Sequence, residues 1–175
     1  MCLIRNGGKH LTSHSRGQIA LDLIFAVVVL VAVAFVGVIG YKIFGDINTP
    51  LQNESISGFD NQTRAQLQSV YDRYPSWFDG MYVFTLGMFW IGMIIGSFFV
   101  RSHPIFFIIM VILLLITFVV GMLLSNVYQE VVSNPDLADA ANALPMTNWV
   151  MGHLLEVMLV MGTTGLIALY AKRTV

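Results

Sequence analysis

His153 and Glu156 are the residues of this chain best placed to do chemistry. They lie three positions apart in an apolar stretch, and this spacing puts both side chains on one face of a helix. An ionisable pair within a membrane span is a functional hypothesis by default. With a further partner the pair could relay protons or bind a metal ion, although two ligands fall short of a closed metal site. The alternative is that both side chains lie near the headgroups, pair with each other and face the helix bundle.

The composition predicts that lipid surrounds most of the elements that position these residues. Of the 175 residues, 57% are hydrophobic and 11% are charged, whereas soluble domains carry roughly 25% charged residues. A helix needs about 20 apolar residues to cross a bilayer, and continuous apolar runs do not fit the alternating strands of a barrel. The predicted fold class is therefore all-α, an integral membrane bundle of four transmembrane helices. The four spans are residues 19–44, 81–100, 105–124 and 149–171.

Basic residues flank these spans on one side of the membrane. They occur in the N-terminal tail 1–18, in the connection between spans two and three, and in the C-terminal tail 172–175: Arg5, Lys9, Arg16, Arg101, Lys172 and Arg173. Cytoplasmic loops carry the excess of Lys and Arg, so both termini are predicted to be cytoplasmic. The short connection at residues 101–104 also predicts that spans two and three pack antiparallel.

The first outer loop, residues 45–80, is predicted to contain an amphipathic helix. Apolar residues recur there at helical spacing from near Thr63, and Pro75 is expected to end the helix. Asn53 and Asn61 each begin an Asn-x-Ser or Asn-x-Thr triplet, the acceptor pattern for glycosylation. The apolar residues of the pattern are Leu67, Val70, Tyr71 and Tyr74.

The second outer loop, residues 125–148, is predicted to be partly helical. Span three should continue through Glu130 because no helix breaker intervenes. Asn134, Pro135 and Asp136 then have the types expected at an N-cap, a first helical position and a first turn. The short helix that follows should end near Pro145.

Gly92 and Gly96 lie one turn apart inside span two. Small residues at this spacing let another helix approach closely. The pair therefore predicts a helix contact, either within the chain or between copies of it.

Asp22 lies one turn into span one, where a helix N-terminus stabilises a negative charge. With the preceding Arg16, Gly17 and Gln18 and the long apolar run that follows, this stretch resembles the archaeal class III signal peptide of type IV pilin-like proteins. The resemblance implies cleavage between Gly17 and Gln18, with Asp22 as the fifth mature residue. Such proteins have one stem helix and a soluble head, whereas three more spans follow here.

The C-terminal half has a second resemblance. Residues 125–130, 145–148 and 170–172, around a short acidic and alanine-rich helix, look like parts of small uncharacterised membrane proteins of archaeal and bacterial viruses and mobile elements. That resemblance implies a structural or accessory protein of a cell membrane or a virion's internal membrane, and it assigns no site residues.

Three functions follow as hypotheses. The first is a viral or mobile-element structural or assembly protein that packs with copies of itself or with another membrane or capsid protein. The second is a channel, holin-like pore or small transporter that uses the ionisable residues of the spans. The third is a pilin-like protein processed by a prepilin peptidase. The sequence contains no GxGxxG, phosphate-binding loop, cysteine cluster or HExxH motif. We therefore predict no enzyme activity, no cofactor and no nucleic-acid partner.

Overall fold

Three long helices form the framework of the computed structural model, which describes residues 15–53, 60–99 and 104–171. Helix α1 is Ser15–Gln52, α2 is Asn61–Phe99 and α3 is Pro104–Val132. Three shorter helices follow, α4 at Pro135–Asn142, α5 at Pro145–Gly152 and α6 at Leu154–Ala171. The predicted all-α class is confirmed for these parts of the chain.

Three of the helices are long and apolar enough to cross a membrane, over Ile24–Gln52, Asn61–Phe98 and Val111–Val132. A fourth span is possible if α5 and α6 count together as one bent span. At a rise of 1.5 Å per residue, each of α1 to α3 is longer than a hydrocarbon core of about 30 Å. Residues 1–14, 101–103 and 172–175, which carry most of the basic residues used to predict orientation, lie outside the described residues.

The prediction of a separate amphipathic helix ended by Pro75 is wrong. Helix α2 begins at Asn61 and continues through Pro75 to Phe99, so the predicted surface helix and span two form one element. A proline inside a helix removes one backbone hydrogen bond. Tertiary packing offsets this loss, because Tyr71 and Tyr74, in the turn before the proline, both stack on Tyr41 of α1 at ring-centroid distances of 4.9 and 5.7 Å.

Residues 125–142 fold as the sequence predicts. Helix α3 continues past Glu130 to Val132. The Asn134 side chain accepts a hydrogen bond from the backbone N–H of Asp136, and Pro135 occupies the first turn of α4. These signals are local, so they do not depend on how the bundle packs.

Residues 149–171, the fourth span that the sequence predicts, do not form one continuous helix. Helix α5 ends at Gly152, α6 begins at Leu154, and the two axes differ by 73°. His153 lies at the break with φ −113° and ψ 25°. Its backbone N–H donates to the carbonyl of Trp149, which closes the last turn of α5.

Helices α1 and α6 each pack against both α2 and α3, whereas α2 and α3 make little contact with each other in the described residues. The antiparallel packing predicted for spans two and three is not seen among the described residues. A short connection brings two helix ends together, but it does not determine which other helices lie between them. The largest fully buried apolar side chains are Tyr82, Tyr128, Leu144, Met151, Leu154 and Val38, which come from α1, α2, α3, α5, α6 and the α4–α5 junction.

Glycines of α1 face aromatic rings of α2 in what we call the glycine–aromatic seam: Gly37, Gly40 and Gly45 against Phe78, Tyr74 and Tyr71. A methyl group at Gly37 would overlap the Phe78 ring. Beyond the seam, the Asn48 side-chain amide donates to Gln68 Oε1 at 2.7 Å. The two helices thus approach closely because α1 lacks side chains where α2 has rings.

Helix α6 is held by a hydrogen bond from α2 and by contacts at glycines, including that of Met93 of α2 with Gly165. Trp90 Nε1 of α2 donates to Thr164 Oγ1 at 2.8 Å. The side chain of Met158 packs onto Gly121 of α3, and that of Leu114 packs onto Gly162 of α6.

Candidate functional site

A buried carboxylate, Asp79, holds the N-terminus of α5 against α2. Its Oδ1 accepts hydrogen bonds from the backbone N–H and the hydroxyl of Thr147 at 3.0 and 2.6 Å, and its Oδ2 accepts from the N–H of Met146 at 2.9 Å. Asp79 is 5% exposed. The first N–H groups of a helix lack partners within the helix, and the N-cap residue Leu144 supplies no side-chain hydrogen bond. Asp79 therefore caps α5 from a different helix.

Polar side chains from α2 and α3 surround this cap. Ser125 Oγ donates to the carbonyl of Met151 at 2.7 Å, and Tyr82 Oη donates to Met151 Sδ at 3.4 Å. We call Asp79, Tyr82, Ser125, Tyr128, Thr147 and Met151 the Asp79 cluster.

Tyr128 is the one member of the Asp79 cluster whose polar atom is unsatisfied. The residue is 0% exposed, and its hydroxyl has no hydrogen-bond partner in the described part of the chain. Its ring lies 5.4 Å from that of Phe35, centroid to centroid. A buried unsatisfied hydroxyl destabilises a fold by about 1–3 kcal/mol, so the packing around this ring must offset that term.

The Asp79 cluster joins α5 to α2 and α3, and its polar groups other than the Tyr128 hydroxyl are engaged in structural hydrogen bonds. The Thr147 hydroxyl donates to a carboxylate oxygen that also accepts a backbone N–H. Within residues 15–53, 60–99 and 104–171, no group of three or more His, Cys, Asp and Glu side chains could hold a metal ion. The arrangement is suited to fixing the α4–α5 segment on the end of the bundle.

The structure does not bring His153 and Glu156 together. The His153 ring stacks on Trp149 at 4.7 Å, and its Nδ1 lies 2.9 Å from the Trp149 carbonyl oxygen. Glu156 is exposed and has no side-chain partner among the described residues. It lies in the first turn of α6, where the helix N-terminus stabilises a negative charge. The break at His153 creates that N-terminus.

Gly92 and Gly96 face open space. A Cβ atom added at either position would meet nothing within 4 Å in the described part of the chain, and the same is true of Gly80 and Gly87. Neither member of the pair thus lies against another described helix. The surrounding surface of α2 is apolar and exposed, with Met88, Ile91 and Ile95 each more than half exposed.

The remaining predicted site residues lie near the ends of α1 and α2. Gly17, Gln18 and Asp22 belong to the first two turns of α1, and their side chains lie outside the described residues. Asn53 follows the end of α1 and Asn61 begins α2, both exposed. The rest of the first triplet, Glu54 and Ser55, lies outside the described residues.

Asp79 is the residue that the sequence analysis missed. One signal was present, since Asp79 is an acid between Phe78 and Gly80, and an acid in an apolar context usually has a partner. Its partners are 67 and 68 positions away, so no spacing rule identifies them.

The fold and these sites define a class: an all-helical protein with three helices, or four if α5 and α6 form one bent span, that are able to cross a membrane. No protein-family model, no curated protein and no solved structure matches the chain.

Proposed function

We propose that this chain is a structural or assembly protein of a membrane, which acts by packing against copies of itself through α2. The observation that carries the proposal is the free surface around Gly92 and Gly96, where a Cβ atom would meet nothing within 4 Å. Only 11% of the apolar window of α2 is buried, compared with 33% for α1. Helix α2 is thus the long helix with most surface left for a partner.

The chemistry of this surface fits a helix partner. Two glycines one turn apart let a second backbone approach closely, and each Cα–H···O contact that results contributes about 0.5–1 kcal/mol. The neighbouring Met88 and Ile95 are exposed and would pack around such a crossing.

We further propose that four spans cross the bilayer with both termini in the cytoplasm. The end of the bundle that carries α4, α5 and the polar start of α2 would then lie outside. The basic residues of the two tails and of the connection at Arg101 support this orientation. A reporter fused after Val175 should be active only inside the cell, and activity outside would reverse the orientation.

The assembly proposal is tested with glycine variants that leave the fold intact. The double variant Gly92→Leu, Gly96→Leu fills the free surface. Gly87→Leu is the matched control, because a Cβ atom at Gly87 also meets open space but Gly87 points about 140° away from Gly92 around the helix. The oligomer mass is measured by light scattering in detergent and by native mass spectrometry from nanodiscs.

Wild type and Gly87→Leu should form the same oligomer. The double variant should dissociate at least about tenfold more readily, which corresponds to 1.4 kcal/mol, with unchanged helicity. A wild-type chain that is monomeric in both environments, or a double variant that associates as strongly as wild type, would refute the proposal.

A further inference from the structure

A shallow groove lies on the exposed side of α2, where this helix changes from polar to apolar. It has a volume of about 550 Å³ and is lined by Arg73, Ser76, Trp77, Gly80, Met81 and Phe84. Arg73, Trp77, Gly80 and Phe84 follow one another at spacings of four, three and four residues, so they share one helix face. Gly80 forms the floor, because no side chain fills the space above it.

The polar end of the groove carries an unpaired cation. Arg73 is exposed and has no hydrogen-bond or ion-pair partner in the described part of the chain. The nearest acid in sequence, Asp72, accepts a hydrogen bond from Gln68 Nε2 at 2.8 Å and points about 100° away around the helix. Ser76, one turn on from Arg73, adds an exposed hydroxyl. A guanidinium next to a hydroxyl donor suits a phosphate group.

The other end of the groove is apolar and exposed. Trp77 and Phe84 are each 68% exposed, and Met81 is 50% exposed. Tryptophan is enriched at membrane–water interfaces, so Trp77 would mark the surface of the hydrocarbon core. One leaflet of that core is about 15 Å deep, which corresponds to about ten residues of helix beyond Trp77. The exposed apolar face continues for that length, through Met88.

We propose that this groove binds one phospholipid with a net negative headgroup. Arg73 and Ser76 hold the headgroup phosphate, Trp77 lies at the interface, and an acyl chain lies over Gly80 against Met81 and Phe84. The cation at one end and the open apolar floor at the other match the two ends of an amphiphile. The site rests on the membrane location of α2 and is independent of whether copies of the chain assemble.

The test uses the full chain in nanodiscs that contain phosphatidylglycerol and phosphatidylcholine. Lipids retained after release from the disc are counted by native mass spectrometry, and the exchange of deuterated phosphatidylglycerol gives the relative affinity. Three variants are compared with wild type: Arg73→Gln removes the cation, Gly80→Leu fills the floor, and Lys42→Gln is a matched control. Lys42 is also a partly exposed cation, but it already forms an ion pair with Asp46 at 2.7 Å.

Wild type should retain one tightly held phosphatidylglycerol. Arg73→Gln should weaken it about fivefold, the effect of one basic residue near a membrane surface, and Arg73→Lys should recover most of that loss. Gly80→Leu should reduce retention of both lipids, and Lys42→Gln should change neither. The proposal is overturned if Arg73→Gln and Lys42→Gln retain the lipid equally, or if Gly80→Leu retains lipid as wild type does. It is also overturned if an excess of inorganic phosphate displaces the lipid. Because oligomer mass is read from the same spectra, failure of this site and failure of self-association are distinguishable.

Discussion

The replacement of Asp79 by alanine tests the central claim about the buried cap. The change removes an acceptor that receives three hydrogen bonds in a site only 5% exposed, so two backbone N–H groups and one hydroxyl lose their partner. Loss of a helix cap costs about 0.5–2 kcal/mol, and each buried donor left unpaired costs about 1–3 kcal/mol. These terms overlap, and we expect the free energy of unfolding to fall by about 3 kcal/mol.

Two further variants divide this effect. Thr147→Val removes only the hydroxyl bond at 2.6 Å and should cost about 1 kcal/mol. Asp72→Asn is the matched control, since Asp72 is exposed and accepts one side-chain bond, and its effect should stay within about 0.5 kcal/mol. In the Asp79→Ala, Thr147→Val double variant, the two losses should not add, because both changes act on one network.

Stability is measured by denaturant unfolding in mixed detergent micelles, followed by tryptophan fluorescence. Hydrogen exchange then locates the effect, and the amides of Met146 and Thr147 should exchange faster in Asp79→Ala while those of α6 change less. The carboxylate does not hold α5 if the free energy of unfolding of Asp79→Ala differs from that of wild type by less than about 0.5 kcal/mol, the range of a neutral surface change. The same conclusion follows if hydrogen exchange of the α5 amides is unchanged.

Three other predictions follow from the packing and the caps. In a thermal unfolding assay, Gly37→Ala should destabilise the bundle by about 1–3 kcal/mol, because the added methyl group overlaps the Phe78 ring. Gly87→Ala, whose methyl group meets open space, should be neutral or slightly stabilising in that assay. Trp90→Phe should lower the free energy of unfolding by about 0.6 kcal/mol, typical of a hydrogen bond between membrane helices, because it removes the 2.8 Å bond to Thr164. In a double-mutant cycle with Thr164→Val the two losses should not add, and additive losses would show that the pair does not interact. The hydrogen bonds from Thr63 lower the pKa of Asp60 below its ordinary value. The Asp60 cap should therefore stabilise the start of α2 fully above the unfolded pKa of about 3.9, and this stabilisation should be lost as pH falls through the lower folded pKa. Hydrogen exchange of the Thr63 amide measures the effect, and Asp60→Ala should abolish its pH dependence.

Local signals in the sequence predicted the local parts of the fold. The Asn134–Pro135–Asp136 start of α4 and the continuation of α3 to Val132 depend on residues within one or two turns, and both are confirmed. Length and apolar content likewise identified the helices that can cross a membrane. None of these features requires knowledge of which helices are neighbours.

The predictions that are wrong depended on tertiary contacts. Pro75 was expected to end a helix, but stacking of Tyr71 and Tyr74 on α1 outweighs the missing hydrogen bond. The break at His153 follows from the capture of the α5 N-terminus by Asp79, whose partners lie 67 and 68 positions away. The face-sharing spacing of His153 and Glu156 holds only in a continuous helix, so that break also separates the pair.

Helix α5 has eight residues, and its length has a consequence for the order of folding. Isolated helices shorter than about 12 residues do not persist in water, so this segment gains its shape only when the carboxylate of α2 and the serine of α3 are both in place. The segment should therefore fold last, after insertion of the long helices is complete. A probe attached there would report when the polypeptide has reached its final arrangement.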